Sequence, residues 1–165
     1  MTTQIICFLT MTLISPMAFA HEGGNHGGHQ AESPPPPVSR DVLDVVNDQY
    51  LSQVQPIFKA KCFDCHSNQT VFPWYYRIPG VKQLIDHDIA EAREHLDMSH
   101  DFPFSGYRNP ARALEDIEDV VNRGEMPPFL YTLMHRDAKL SDADILAIKA
   151  WILESLALLR SPSSQ

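Results

Sequence analysis

The sequence predicts an all-α fold, a small helical domain over residues 40–160. Three observations carry that prediction. Apolar residues recur at three- and four-residue spacing in several stretches. No stretch alternates apolar and polar residues as a half-buried strand would. Prolines, glycines and helix-capping residues separate the stretches. With 165 residues, 44% of them hydrophobic, the chain has room for one domain and appendages, not for two domains.

The elements follow in order. Val42, Val45, Val46 and Tyr50 lie at helical spacing and predict a short first helix. Pro56 suits the first turn of a second, where its missing N–H costs nothing; that helix runs through Phe58 to Cys62. A third helix is predicted over roughly 80–97, with Val81, Leu84, Ile85, Ile89, Ala92 and Leu96 on one buried face. Asn109 as cap and Pro110 in the first helical position start a fourth, whose stripe is Leu114, Ile117, Val120 and Val121 and which Gly124 ends. Ser141 with Asp144 three residues on resembles a capping box and opens a fifth, with Ile145, Ile148, Trp151, Ile152, Leu156 and Leu159 inward. Loops are predicted around Pro73–Pro79, Pro103–Pro110 and Pro127–Pro128.

The appendages are equally legible. Residues 5–20 are apolar, almost uncharged and end in Ala18-Phe19-Ala20, the small-x-small pattern of a signal peptide cleaved after residue 20. The run is too short, and too broken by Pro16, for a membrane span of about 20 apolar residues. Residues 21–39 form a His- and Gly-rich leader and a run of prolines from Pro34 to Pro37, which cannot bury a core and reads as disordered leader and stiff spacer. Residues 161–165 are a tail. After cleavage, Cys62 and Cys65 are the remaining cysteines.

Those two cysteines stand in Cys62-Phe63-Asp64-Cys65-His66, the spacing by which haem c is attached. On a helical turn, residues three and four apart share a face. Both thiols then reach the two porphyrin vinyl groups, and the imidazole of His66 is offered to the iron from the same side. A thioredoxin-like pair would ask for a strand before the motif, a zinc site for further ligands, and a disulfide across two residues would be strained and staple little. The context favours covalent haem, held by Cys62, Cys65 and His66, around which the helices form a cytochrome c-like domain. The macrocycle is expected to supply much of the core, leaving an apoprotein that folds poorly.

For the sixth iron position the first choice is Met126. Gly124 stops the helix before it, and Pro127 biases Met126 toward extended backbone, so its side chain can be aimed across an open haem face. The alternative ligand is His135, which could instead bond a propionate; His87 and His95 sit at the edge of the third helix's apolar stripe. An open position, or Met126 as an apolar plug, are the other readings. Trp74, Tyr75 and Tyr76 are candidate pocket walls and Arg77 a candidate propionate partner.

The motif Cys62-Phe63-Asp64-Cys65-His66-Ser67-Asn68 with Thr70, then Pro73-Trp74-Tyr75, the Arg93–Ser99 region, Gly124-Glu125-Met126-Pro127-Pro128 with Tyr131, and His135-Arg136-Asp137-Ala138-Lys139-Leu140-Ser141 up to Trp151 follow one another in the order of a known family. Over most of residues 53–153 the chain resembles the haem-binding domain family of exported c-type cytochromes. The resemblance implies one haem c, His66 as proximal ligand and the Met-Pro loop over the other face. One departure is Leu96-Asp97-Met98-Ser99, where the family tends to have an Asn-Phe-Ser stretch.

With two protein ligands a haem iron has no place for substrate, so the expected function is one-electron transfer between protein partners in the periplasm, without enzymatic activity. The alternative is a haem peroxidase or a gas or redox sensor with an open sixth position. A net charge of −8 argues against nucleic acid and anionic lipid as partners and for docking on a basic protein patch. Cleavage would leave His21 at the new N-terminus, where its amine and imidazole with His26 and His29 could bind copper weakly.

Overall fold

The computed structural model describes residues 38–107 and 109–161. The expected signal peptide, the leader up to residue 37 with the histidines expected to bind copper weakly, and residues 162–165 of the tail lie outside the described residues. Helices make up the architecture: α1 (Arg40–Gln49), α2 (Gln55–Lys61), α3 (Phe63–His66), α4 (Val81–His95), α5 (Pro110–Asn122), α6 (Phe129–Met134) and α7 (Asp142–Arg160). Extended pairing among the described residues is limited to an isolated antiparallel bridge between Asp97 and Ser105.

The first two predicted helices are one continuous rod. A π-helical segment, Tyr50–Val54, joins α1 to α2 without a break. Pro56 explains the wider turn. Inside an α-helix its ring would collide with the carbonyl of Ser52, four residues back, and its absent N–H would leave that carbonyl unbonded. A π turn relieves both problems. Ser39 caps the start of the rod by accepting from the Val42 N–H.

The rod's inner edge is Val46, Tyr50, Val54 and Phe58, each at most 1% exposed. In an α-helix a four-residue step advances about 40° around the axis, so such a column would drift off the core. The π segment takes up that drift and keeps the column facing inward. Against it packs α7, through Ile148, Trp151, Ile152 and Leu156, and α5 packs on α7, bringing Leu114, Ile117 and Val121 into the same core. Phe102 and Phe104, from the loop after α4, complete an aromatic cluster. The Trp151 ring meets Phe58 and Phe102 edge-on, with centroids 6.1 and 6.0 Å apart. The Trp151 indole N–H donates to the Val46 carbonyl at 3.4 Å. This core closes on protein side chains.

The predicted signals of α5 and α7 operate as written. Asn109 accepts from the Ala111 N–H at 2.9 Å, Pro110 opens α5, and Gly124 follows it with φ +65°. Ser141 and Asp144 form the reciprocal capping box of α7. The third predicted helix differs. Helix α4 stops at His95, Leu96 is already extended, and none of the helix's residues is fully buried. Its stripe lies against α3 and a 3₁₀ turn, Trp74–Arg77, with Leu84 left exposed. The predicted loop at Pro73–Pro79 contains that 3₁₀ turn, and the one at Pro127–Pro128 leads directly into α6. After α4 the chain doubles back closely: Gly106, at φ +97°, lies so near the end of α4 that a Cβ there would come 2.8 Å from the His95 carbonyl oxygen.

Candidate cofactor site

Cys62, Cys65 and His66 are carried by the junction of α2 and α3. The Phe58 carbonyl accepts from the Cys62 N–H at 2.8 Å, and the Cys62 carbonyl accepts from the N–H groups of Cys65 (3.2 Å) and His66 (3.0 Å). Both cysteines and His66 thus belong to a single turn, as their spacing predicts. The two thiols are free. Burial pushes the Cys62 thiol up to about 12 and also raises Cys65, with the Asp64 carboxylate adding to the latter. Both therefore stay protonated at neutral pH.

His66 is fixed from a direction that no side chain in the sequence announces. Its Nδ1 lies 2.9 Å from the carbonyl oxygen of Leu96. A carbonyl only accepts, so Nδ1 carries the proton and Nε2 keeps its lone pair. Burial, against the help of backbone carbonyls, holds the ring below the usual histidine range and thus neutral. The same loop grips the turn twice more. The Met98 N–H donates to the His66 carbonyl at 2.6 Å, and the Ser99 hydroxyl accepts from the Asn68 N–H at 2.9 Å. The Leu96–Ser99 stretch, which departs from the family pattern in sequence, is the support of the candidate ligand.

Asp64, between the cysteines, is held on both oxygens. Oδ1 accepts from the Val71 N–H at 2.9 Å and Oδ2 from the Tyr131 hydroxyl at 2.7 Å. Thr70 closes the turn by donating to the Asp64 carbonyl at 2.9 Å. No local pattern announces the Tyr131–Asp64 pair, whose members lie 67 residues apart.

Met126 sits in the turn between Gly124 and α6, partly exposed, beyond a helix end whose last carbonyls are taken up by Gly124 and Glu125. The peptide from Met126 to Pro127 is cis. His135 is placed differently: its Nε2 is 3.2 Å from the Tyr75 hydroxyl, its ring stacks on Tyr131 at 4.3 Å, and its Nδ1 is buried without a partner among the described residues. His87 faces Glu91 on the exposed side of α4, and His95 is exposed.

Of the candidate walls, Trp74 is 77% exposed and Tyr76 stacks on Phe72 at 4.1 Å while donating to Asp86. Phe72, Pro73, Trp74, Tyr76 and Arg77 line an open cleft of about 600 Å³.

The side chains fit a haem. Two free thiols and a neutral imidazole with a free Nε2 share one turn, and large apolar side chains (Val71, Phe72, Trp74) stand exposed on the segment that follows it. Among the described residues no three or more His, Cys, Asp or Glu side chains come together as a cage for a bare metal ion. None of their helices is long and apolar enough to cross a membrane.

Comparison with known proteins agrees. The model of a family described as haem-binding domain matches residues 29–154. A cytochrome c peroxidase Ccp of Escherichia coli (strain K12) is 35% identical over 103 residues, 58% of this chain. The match covers 21% of that protein, so the chain spans about a fifth of the length of this relative. No solved structure matches.

Proposed function

The chain belongs to the haem-binding domain family, and from that premise we propose an exported, single-haem c-type cytochrome that carries one electron between protein partners in the periplasm. The observation that carries this reading is the single turn on which Cys62, Cys65 and a carbonyl-oriented His66 stand together. Cys62 and Cys65 would add their thiols across the two vinyl groups as thioethers. His66 would bind iron through Nε2. When bound, the haem supplies a one-electron couple between ferric and ferrous iron.

The rest of the chain prepares that couple. The Leu96 carbonyl fixes the imidazole tautomer and makes Nε2 a better donor. Met126 would take the sixth position, where a thioether favours the ferrous state and raises the potential. His135 is the weaker rival, because its Nε2 is engaged by Tyr75 and its ring by Tyr131. The acidic surface suits a partner with a basic docking patch.

The second reading is peroxidase chemistry at an open sixth position, favoured by the similarity to a cytochrome c peroxidase. Because the chain spans about a fifth of that protein, the match is equally what a haem module feeding electrons to a separate peroxidase centre would give. Visible spectra of the oxidised and reduced protein, made in a host that attaches haem c, decide between the two. Low-spin bands with a weak far-red sulfur-to-iron band when oxidised support the carrier. A high-spin spectrum with ready carbon monoxide binding supports the peroxidase or sensor, and the absence of haem bands removes both.

A further inference from the structure

We propose that Tyr131 is a positioning residue that latches the Met126 loop onto the haem-attachment turn through Asp64. The inference rests on the reading that Met126 is the sixth ligand. It starts from how little else holds α6. Phe129, Leu130, Leu133 and Met134 are 76%, 74%, 55% and 59% exposed, so other protein side chains cover little of the helix's apolar surface. Within residues 129–135 the side-chain hydrogen bonds to the rest of the described domain are two, Tyr131 to Asp64 at 2.7 Å and His135, next after the helix, to Tyr75 at 3.2 Å; just beyond, Lys61 donates to the Asp137 carbonyl.

The two contacts are one assembly. The Tyr131 ring stacks on His135 at 4.3 Å, and the Tyr131 carbonyl accepts from the His135 N–H. Asp64 in turn is immobilised by the Val71 N–H on its other oxygen. A phenol donating to a carboxylate in a half-buried setting is a strong hydrogen bond, stronger than one between neutral groups. Met126 precedes Tyr131 by five residues, and the Pro128 carbonyl is bonded to Thr132, so the loop and the first turn of α6 move together. Releasing Tyr131 should free the Met126 loop while leaving the cysteines and His66 where they are.

The test uses the holoprotein with Tyr131→Phe, which keeps the ring and removes the hydroxyl. Amide hydrogen exchange across residues 123–134 is expected to speed up about tenfold, with α7 amides unchanged as an internal control. Imidazole should bind the ferric protein about tenfold more tightly, since the loop no longer competes as well for iron. Exchange unaltered within twofold overturns the latch, whatever the sixth ligand is. If exchange speeds up while Met126→Ala leaves imidazole affinity and the far-red band unaltered, the latch stands and the assignment of Met126 falls.

Discussion

His66 and Leu96, thirty residues apart, are joined by a hydrogen bond from the imidazole Nδ1 to the backbone carbonyl oxygen at 2.9 Å. An imidazole oriented by a backbone group is only as fixed as that backbone. Here the backbone is secured by the next residue. The Asp97 carboxylate accepts from the Ser99 N–H at 2.7 Å and from two nitrogens of Arg93 at 2.9 and 3.1 Å.

Asp97 should therefore make stability acid-sensitive. Burial opposes its charge, but the donors of Ser99 and Arg93 outweigh burial and hold the carboxyl below the usual 3.8. A depressed carboxyl contributes stability that is complete above the unfolded value and is lost as pH falls through the folded one. Asp97→Asn is expected to cost about 1–2 kcal/mol at pH 7. In denaturant titrations of the holoprotein, the gap between parent and variant should close below about pH 4. A gap that persists in acid would assign the effect to something other than the charge.

Met126→Ala should remove the far-red band of the oxidised protein. It should also lower the potential by at least about 60 mV, a tenfold change in a one-electron equilibrium. Redox titration checks it. A potential and spectrum that stay put would take Met126 out of the site.

Cys62→Ala combined with Cys65→Ala should abolish haem that survives acid–acetone extraction. The aromatic core of Tyr50, Phe58, Phe102, Phe104 and Trp151 lies on the side of the fold built by α1, α2 and α7. That double variant is thus expected to keep a cooperative melting transition, at lower temperature, followed by far-ultraviolet circular dichroism. A non-cooperative melt would mean that the macrocycle holds the core together after all.

Trp151→Ala tests the core itself. The side chain is fully buried among four aromatic rings and bonded to Val46. Its loss should cost about 3–5 kcal/mol, read from chemical denaturation.

What was legible follows from what carries a local signature. The caps of α5 and α7 involve residues two or three apart, and the attachment motif lies within five residues, so each shows in the sequence. The support of His66 does not, because Leu96 contributes a carbonyl that any residue would have. Tyr131 and Asp64 find each other only once α6 is docked. The π segment left a trace that a 3.6-residue period hides: Val46, Tyr50, Val54 and Phe58 are spaced by four throughout, and Pro56 among them suggested a boundary instead of a wider turn.

Extended by one more step of four, that column reaches Cys62, which packs against the same core. The rod therefore sets the direction in which the first thioether sulfur points by counting residues. Removing one residue from an α-helical part of the rod, with the wide turn kept, would rotate everything after it by about 100°. Chain length is free to vary in a surface loop, but in this stretch an insertion or deletion remote from the motif would turn its first cysteine away from the face it has to meet.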